Sequence, residues 1–162
     1  MKKILLLFVL AVASLSLAKA QVQSPISMSW KDVATWKSMP NSGFKLSPDG
    51  QWMAYVLTGI ETDGELILQK VADPSSKKSF QIGNTSFASF EFSDNSQWLA
   101  FKEFPKFSEK QANEKAKGKP LKEKLHLIQL ASGDKKTFAG ISGFNFTGEA
   151  ATHLLLTLPK EG

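Results

Sequence analysis

Two histidines and one serine between glycines are the residues of this sequence that come closest to a hydrolytic site. A serine nucleophile of the elbow type needs Gly-x-Ser-x-Gly, which presents the hydroxyl on a strained strand-to-helix turn. The nearest string, Gly140-Ile141-Ser142-Gly143, has the wrong spacing, so we interpret Ser142 as a turn residue. His126 and His153 fall in predicted strands, and without an elbow serine each is expected to be structural. The sequence therefore predicts no catalytic residue.

Other kinds of chemistry are also poorly supplied. With no cysteine and only two histidines, the chain has no disulfide, no thiolate and too few ligands for a zinc or iron–sulfur site. All twenty basic residues are lysine, and bidentate recognition of phosphate or guanine relies on the guanidinium of arginine. We therefore expect no metal, no cofactor and no nucleic-acid partner. Asn84 and Asn145 open formal glycosylation sequons, which matter only in a eukaryotic secretory pathway.

The first twenty residues have the pattern of a secretory signal peptide. Two lysines precede an uncharged apolar run over residues 4–17, and alanines occupy the −3 and −1 positions before Gln21. This run is shorter than the roughly 20 residues that cross a bilayer, so we expect cleavage rather than a stable membrane anchor. The sequence predicts a bacterial chain exported to the periplasm or beyond. Three lysines lie in this segment, so the net charge falls from +5 to +2 after cleavage.

The elements that would position any site form a repeat. FKLSPDGQWMAYVL, from Phe44, and FEFSDNSQWLAFKE, from Phe90, match at an offset of 46 residues, and FNFTGEAATHLLLTL, from Phe144, is a partial third copy. The stretches between copies also correspond, since residues 66–80 and 125–138 each comprise two strands joined by a polar turn. Recurrence in two separate parts of the unit indicates a repeat architecture.

Each repeat predicts four short antiparallel strands. The turn Ser47-Pro48-Asp49-Gly50 has proline and glycine where a tight hairpin favours them, and in the second copy Asn95 is expected to take the left-handed conformation. Residues 52–57 are apolar on both faces, so we expect this strand to be buried on both. Stacked four-stranded units of about 45 residues are typical of a β-propeller. Trp52 and Trp98 are then expected to pack between blades rather than to stack on a ligand.

The predicted fold class is all-β, a partial β-propeller of two to three four-stranded antiparallel blades, preceded by the signal peptide and a short helix. The blade units cover about residues 44–89 and 90–143, and a third begins within 144–162. A closed propeller needs at least about four blades, so we expect a fragment of a longer propeller.

Two segments outside the repeat carry further expectations. The lead-in over residues 21–43 predicts a helix from Ser29 to about Met39, covering a sheet edge, with Trp30, Val33 and Trp36 on one side. A lysine-rich insertion over about 102–124 contains eight lysines and four glutamates but few large apolar residues. Because it cannot bury a face, we expect a solvated loop rather than a polybasic binding patch.

The order of these features resembles a known family. In order, the chain contains a signal peptide, a short helix with Trp36-Lys37-Ser38, the phrase LSPDGQWMAYVL, its echo FSDNSQWLAF, a lysine-rich interruption and LHLIQLASGDKKTF. Together these features resemble the amino-terminal propeller of exported bacterial serine peptidases of the prolyl oligopeptidase family (dipeptidyl aminopeptidase/acylaminoacyl peptidase-like). The resemblance covers most of residues 21–162. It implies a carboxy-terminal α/β-hydrolase domain, not contained in this sequence, that holds the nucleophile, acid and histidine. It also implies that the propeller gates access of peptides to that domain.

Two other functions fit the same residues. The SPDG phrase followed by Gln-Trp and an apolar strand also resembles TolB-like propellers, which would make the chain a non-catalytic periplasmic binding module. The remaining alternative is a complete small β-sandwich that binds a ligand. Whether the chain is an enzyme's fragment or a binding protein is therefore left open by the sequence.

Overall fold

A computed structural model describes residues 27–148 and 153–159. The predicted signal peptide lies outside the described residues. The described chain contains two helices and ten strands. In chain order they are α1 (Trp30–Ala34), β1 (Phe44–Leu46), β2 (Trp52–Leu57), β3 (Gly64–Lys70), β4 (Asp73–Gly83), β5 (Phe90–Phe92), β6 (Trp98–Glu103), α2 (Phe107–Ala116), β7 (Lys124–Gln129), β8 (Lys135–Ala139), β9 (Gly143–Phe146) and β10 (Leu154–Thr157).

The strands form open antiparallel sheets, which confirms the predicted all-β fold class. Strands β1 to β4 make one four-stranded meander, β5 to β8 make a second, and β9 and β10 form a hairpin. The register is equivalent in the first two sheets, where Phe44 pairs with Tyr55 and Phe90 pairs with Phe101. The repeat found in the sequence is therefore a repeat of whole sheets, each the size of a propeller blade.

Alternation along the strands gives each sheet two faces. We call the A face the one that carries Phe44 and Tyr55 in the first sheet, and Phe90 and Phe101 in the second. The opposite, or B, face of the first sheet packs on the A face of the second. This interface contains the ring contact between Phe80 and Phe101, whose centroids are 5.4 Å apart. The largest core cluster lies there: Ala54, Val56, Leu66, Leu68, Ile82, Phe90, Phe92, Leu99, Phe101, Ile128 and Leu130.

A second core cluster repeats the arrangement. The B face of the second sheet, with Ala100 and Leu125, packs on the hairpin side that carries Phe144 and Phe146. Because Phe144 corresponds to Phe90 in the repeat, this is again a B face against an A face. The two interfaces follow the same rule, as expected for blades stacked in one direction around a propeller.

The A face of the first sheet differs from the expectation that β2 is buried on both faces. Met53, Tyr55 and Leu57 are only half-buried, while Ala54 and Val56 on the B face are buried. Among the described residues, no other sheet packs against this A face. On this face the central strand β3 buries Ile67, whereas β2 remains half-buried without a neighbouring sheet.

Both hairpin turns are held by a buried serine. Ser47 Oγ donates to Asp49 Oδ1 (2.6 Å) and accepts from the backbone N–H of Trp52 (2.9 Å). Ser93 Oγ makes the matching contacts, at 2.7 Å to Asn95 Oδ1 and 2.9 Å from Trp98 N. These bonds satisfy the polar groups that a tight turn would otherwise leave unpaired.

The left-handed residue of the second turn is not the one expected. Ser96 has a φ of +54°, which corresponds to Gly50 with +70° in the first turn. Asn95 instead occupies the place of Asp49, because its side-chain oxygen accepts from Ser93 Oγ. Ser96 Oγ also accepts from the backbone N–H of Asp49 at 3.0 Å, which joins the turns of neighbouring sheets.

The lead-in helix is shorter than predicted. Ser29 caps it as expected, in a capping box with Asp32, but the helix ends at Ala34 rather than near Met39. The chain then becomes extended and pairs Ser38 with Thr58, with backbone N···O distances of 2.8 and 2.9 Å. Tertiary pairing at the sheet edge thus overrides the helical pattern, and the residue before Pro40 favours extended backbone. No residue of α1 is buried.

The lysine-rich insertion also differs from the expected loop, since its residues 107–116 form α2. Its sequence, FSEKQANEKA, is rich in good helix formers, and Glu109 accepts from the backbone N–H of Lys106 at 2.9 Å. No residue of α2 is buried. The lack of apolar residues removes a buried face, but it does not prevent a surface helix from forming.

Candidate functional site

The residues with catalytic potential in the sequence each have structural partners. Ser142 Oγ donates to the carbonyl oxygen of Thr157 at 3.0 Å and so helps to close the β9–β10 hairpin. The backbone carbonyl of His153 accepts from Thr147 in the same hairpin. His126 lies on β7, within the second sheet. The part of the chain that the structure describes also contains no cluster of three or more His, Cys, Asp or Glu residues placed to hold a metal ion.

His126 belongs to a line of three polar side chains across the second sheet. Its Nε2 lies 2.6 Å from Glu103 Oε2, and its Nδ1 lies 2.9 Å from Thr137 Oγ1. Burial lowers the pKa of His126, with the hydrogen bond to Glu103 acting in the opposite direction. The neutral ring at pH 7 then donates from Nε2 to Glu103 and accepts at Nδ1 from Thr137.

Glu103 is held in its ionised form by its neighbours. Burial opposes ionisation, but hydrogen bonds from His126 and Lys124 outweigh burial and place the pKa of Glu103 below its usual value. The order of carboxylate, imidazole and hydroxyl is that of a hydrolytic triad. However, the imidazole ring lies 5.1 Å from the ring of Phe101, in the stack between sheets, and none of the three residues lines the large cleft described below. We interpret the line as a structural tie between β6, β7 and β8.

A cleft of about 990 Å³ lies at one end of the two sheets. Four segments enclose it: the lead-in after α1, the β2–β3 loop, the β4–β5 loop, and α2 with its flanking residues. We call it the loop-end cleft. Its apolar lining is formed by Val33, Trp36, Pro40, Ile60, Phe87, Phe104, Pro105 and Leu121. This size and composition are typical of ligand-binding pockets.

Asn84 holds three of these segments together. Its Nδ2 donates to the carbonyl oxygens of Ile60 (3.1 Å) and Thr62 (2.9 Å) in the β2–β3 loop. Its backbone N–H donates to the carbonyl of Pro105 at 3.0 Å. Its own carbonyl and side-chain oxygens accept from Lys110 Nζ on α2. One residue, through its backbone and its side chain, thus fixes the floor of the loop-end cleft.

Helix α2 is anchored to the same loops. Asp63 in the β2–β3 loop accepts from the backbone N–H of Phe107, the first residue of α2, at 2.8 Å. An acidic side chain at this helix end satisfies an otherwise unpaired N–H and complements the helix dipole. Although α2 buries none of its own residues, its N-terminal end is therefore positioned against the first sheet's loop.

The cleft floor also contains an aromatic pair and a close backbone approach. Phe87 and Phe104 meet edge to face, with ring centroids 5.1 Å apart. At Gly83 a Cβ would lie 1.9 Å from the carbonyl oxygen of Phe104, and the φ of +66° favours glycine. The loop after β4 can therefore reach the end of β6 only because residue 83 lacks a side chain.

No local sequence pattern identifies this cleft. Asn84 stands out in the sequence only as part of a formal sequon, and Lys110 lies in the segment expected to be a solvated loop. Its residues come from segments up to about 90 positions apart, between Val33 and Glu123. The available signal was the pair Gly83-Asn84 directly after a predicted strand, which marks a turn but not its partners.

Comparisons with known proteins add a structural likeness. No protein-family model matches the chain, and no curated protein matches it significantly. Among solved structures, the β-propeller domain of the Trilobed protease from Pyrococcus furiosus, described as having an open velcro topology, aligns with a TM-score of 0.46 at 17% sequence identity. The alignment covers 75% of this chain and 34% of that chain. Our chain thus spans about a third of that domain's length.

Among the described residues, no helix is long and apolar enough to cross a membrane. Trp52 packs at the edge of the core between the first two sheets, as expected of a residue between blades, and Trp98 at the corresponding position is half-buried. The indoles of both residues therefore belong to the sheets rather than to the loop-end cleft.

Proposed function

We propose that this chain is the amino-terminal propeller portion of an exported serine peptidase. In this proposal it positions or gates peptide substrates for an α/β-hydrolase domain elsewhere in the polypeptide. The observation that carries it is the one-directional stacking of the sheets, B face on A face at two successive interfaces. That stacking is the geometry of a propeller, and the order of lead-in, blade, insertion and blade is the one that resembles the peptidase family.

The chemistry is assigned to the other domain because the described residues with catalytic potential have structural roles. Ser142 Oγ donates to a carbonyl of its own hairpin, and the hydroxyl–imidazole pair of Thr137 and His126 belongs to a tie across the second sheet that lies outside the loop-end cleft. The role left to the propeller is to recognise and admit substrate. Export forms part of the proposal and is supported by the signal-like pattern of residues 1–20.

The experiment that tests this proposal is to determine the DNA sequence downstream of the codon for Gly162 in the source genome. The expected result is an open frame that continues through further SPDG-type repeats to a Gly-x-Ser-x-Gly elbow and a later histidine. If the frame ends after additional repeats without an elbow, the chain is instead a propeller binding module. A stop codon at this point would contradict the peptidase assignment directly.

The binding-module function is favoured by one specific observation. The loop-end cleft is lined by four segments of this chain, and its loops are tied together by Asn84. These lining residues are present without a catalytic domain. If the downstream sequence holds no hydrolase domain, ligand capture in this cleft becomes the function of the protein.

A further inference from the structure

We propose that the loop-end cleft binds an extended peptide segment that carries a large apolar side chain next to a carboxylate. The proposal deepens the one above, since it takes the peptide class of ligand from it. It adds the place of binding and the residues that select the ligand. Trp36, Ile60 and Phe87 would contact the apolar side chain, and Lys110 would contact the carboxylate.

Three apolar side chains that line the cleft are exposed to solvent. Trp36, Ile60 and Phe87 are 58%, 79% and 53% exposed, respectively, and they come from three different segments. Single exposed apolar residues are common on proteins, but a concave group of them at one place indicates a binding surface. Exposed aromatic and branched side chains from separate segments of one cleft favour the binding of an apolar side chain.

Hydrogen bonds preorganise these walls. The lead-in that carries Trp36 is fixed by the Ser38–Thr58 pair, and the loop that carries Ile60 is held by Asn84. The floor at Phe87 is braced by Thr85, whose hydroxyl oxygen accepts from the backbone N–H of Phe87 at 3.2 Å. Because the apolar side chains lie on segments already tied down, a ligand would pay little ordering entropy there.

The charges at the cleft complement a carboxylate. Two of the charged residues that line it are already in ion pairs, Lys37 with Glu65 and Glu123 with Lys102. Lys110 forms no ion pair within the described residues, because its ammonium group donates to the neutral oxygens of Asn84. An ammonium group held in this way retains a donor and its charge for an incoming anion.

Glu114 lies one helical turn beyond Lys110 on the same wall and also lines the cleft. Its negative charge disfavours a carboxylate at that end, which confines the anion to the side near Asn84. The arrangement therefore predicts opposite effects for the two charges. Removing the charge of Lys110 weakens binding, whereas removing that of Glu114 strengthens it.

The test uses the purified full chain and three synthetic probes. The first is N-acetyl-Gly-Ser-Leu-Phe with a free carboxy terminus, and the second is the same peptide as its amide. The third, N-acetyl-Ser-Leu-Phe-Glu-amide, carries its carboxylate on a side chain. Calorimetric titration measures affinity. Indole fluorescence, compared between the unsubstituted chain and Trp36→Phe, reports on Trp36, since Trp30, Trp52 and Trp98 also emit. We expect saturable binding of the first probe, and comparison with the third distinguishes a terminal from a side-chain carboxylate.

Matched variants separate the contributions. Phe87→Ala and Trp36→Ala are expected to weaken the first probe at least about tenfold, as truncated hot-spot residues do. Trp30→Ala, which removes an exposed indole outside the cleft, is expected to leave affinity unchanged. Lys110→Met is expected to weaken the two carboxylate probes about fivefold or more and to leave the amide unaffected, whereas Lys115→Met serves as its control. Glu114→Gln is expected to tighten binding about twofold.

Several results would overturn the inference. The absence of a saturable signal with every probe at millimolar concentration would overturn it. Equal affinity for the acid and the amide, together with no effect of Lys110→Met, would also overturn it. Concentration-dependent dimerisation that Phe87→Ala abolishes would show that the cleft is a contact between copies. Circular dichroism of each variant excludes misfolding as the cause. A hydrolase domain found downstream alongside failed binding would reject this site and leave the proposed function standing.

Discussion

The hairpins β1–β2 and β5–β6 share their register and their turn hydrogen bonds, yet Phe90 is 4% exposed while its counterpart Phe44 is 47% exposed. The difference lies in what covers each A face. The first sheet packs its B face onto Phe90, while no described sheet covers Phe44. A repeat therefore encodes local structure in each copy, whereas the burial of a copy depends on its neighbour.

The connections after the second strand also separate the two sheets. Residues 58–63 join β2 to β3, whereas residues 104–123 with α2 join β6 to β7. The longer connection is tied to the short one directly at Asp63 and indirectly through Asn84 of the β4–β5 loop, and both connections line the loop-end cleft. Insertion into one copy of the repeat thus produced a site that neither copy could form alone.

The largest expected effect tests the difference in burial. Phe90→Ala removes a ring from the core between sheets and is expected to lower the free energy of unfolding by about 3–5 kcal/mol. Phe44→Ala removes the equivalent ring from the uncovered face and is expected to cost about 1 kcal/mol or less. Denaturant unfolding of both variants measures the two values. Equal losses would show that the A face of the first sheet is covered in solution.

The next effect tests the similarity of the turns. Ser47→Ala and Ser93→Ala each remove a buried hydroxyl that accepts from the N–H of the following tryptophan. Leaving that group unpaired is expected to cost about 1–3 kcal/mol in either sheet. Denaturant unfolding measures the free energy of unfolding of both variants, and Ser86→Ala, at an exposed serine, serves as the control. A loss in only one sheet would contradict the equivalence of the turns.

Deleting residues 106–122 is expected to have a smaller effect on stability. The deletion removes α2, which buries no residue, and joins β6 to β7 by a short turn, since Glu103 and Lys124 are paired neighbours. Circular dichroism should keep its β-sheet signal and lose the helical contribution. The free energy of unfolding should change less than in Phe90→Ala, and the loop-end cleft should be lost. Disappearance of the β-sheet signal would show that the insertion supports the second sheet.

The smallest effect is a pH dependence confined to the second sheet. His126 corresponds to Ile67 in the first sheet. Because burial lowers the pKa of folded His126, the unfolded chain binds the proton more readily. Its contribution to stability is therefore complete above the unfolded pKa of about 6.5 and declines as the pH falls from there through the lowered folded pKa.

His126→Ile, which copies the first sheet, is expected to flatten the stability profile between pH 7.5 and about pH 5. Below that range the lowered pKa of Glu103 acts in the same direction, so further acidification destabilises the native chain again. Unfolding curves across this range, compared with the variant His153→Ile, would measure the effect. A profile that is unchanged in His126→Ile would show that burial of the imidazole is not its source.

The parts of the fold that depend on nearby residues were predicted well. The hairpins follow from Ser47-Pro48-Asp49-Gly50 and its echo, and the division into four-stranded sheets follows from the repeat. Ser29 was recognised as a helix cap because a cap is a contact between residues two or three positions apart. The end of that helix was missed because the Ser38–Thr58 pair joins residues from different elements.

The candidate site was not predictable for the same reason. Asn84 donates to carbonyl groups of the β2–β3 loop and of Pro105, and it accepts a hydrogen bond from Lys110. No local sequence pattern predicts those partners. Helix α2 differs from the expected loop because the scarcity of apolar residues in 102–124 predicts only that no face is buried. The helix propensity of the segment still favours a helix. Surface helices can form from propensity and a cap alone, when the remainder of the fold fixes one end.

By itself the sequence determined the repeat, the strand alternation, the turn chemistry and the absence of an elbow serine, because each depends on residue types a few positions apart. Only the tertiary structure decided which A face is covered, where the lead-in leaves its helix and which loops enclose the cleft. These features depend on contacts between segments distant in the chain. Their free energy comes from burial and hydrogen bonding that exist only once the sheets have stacked.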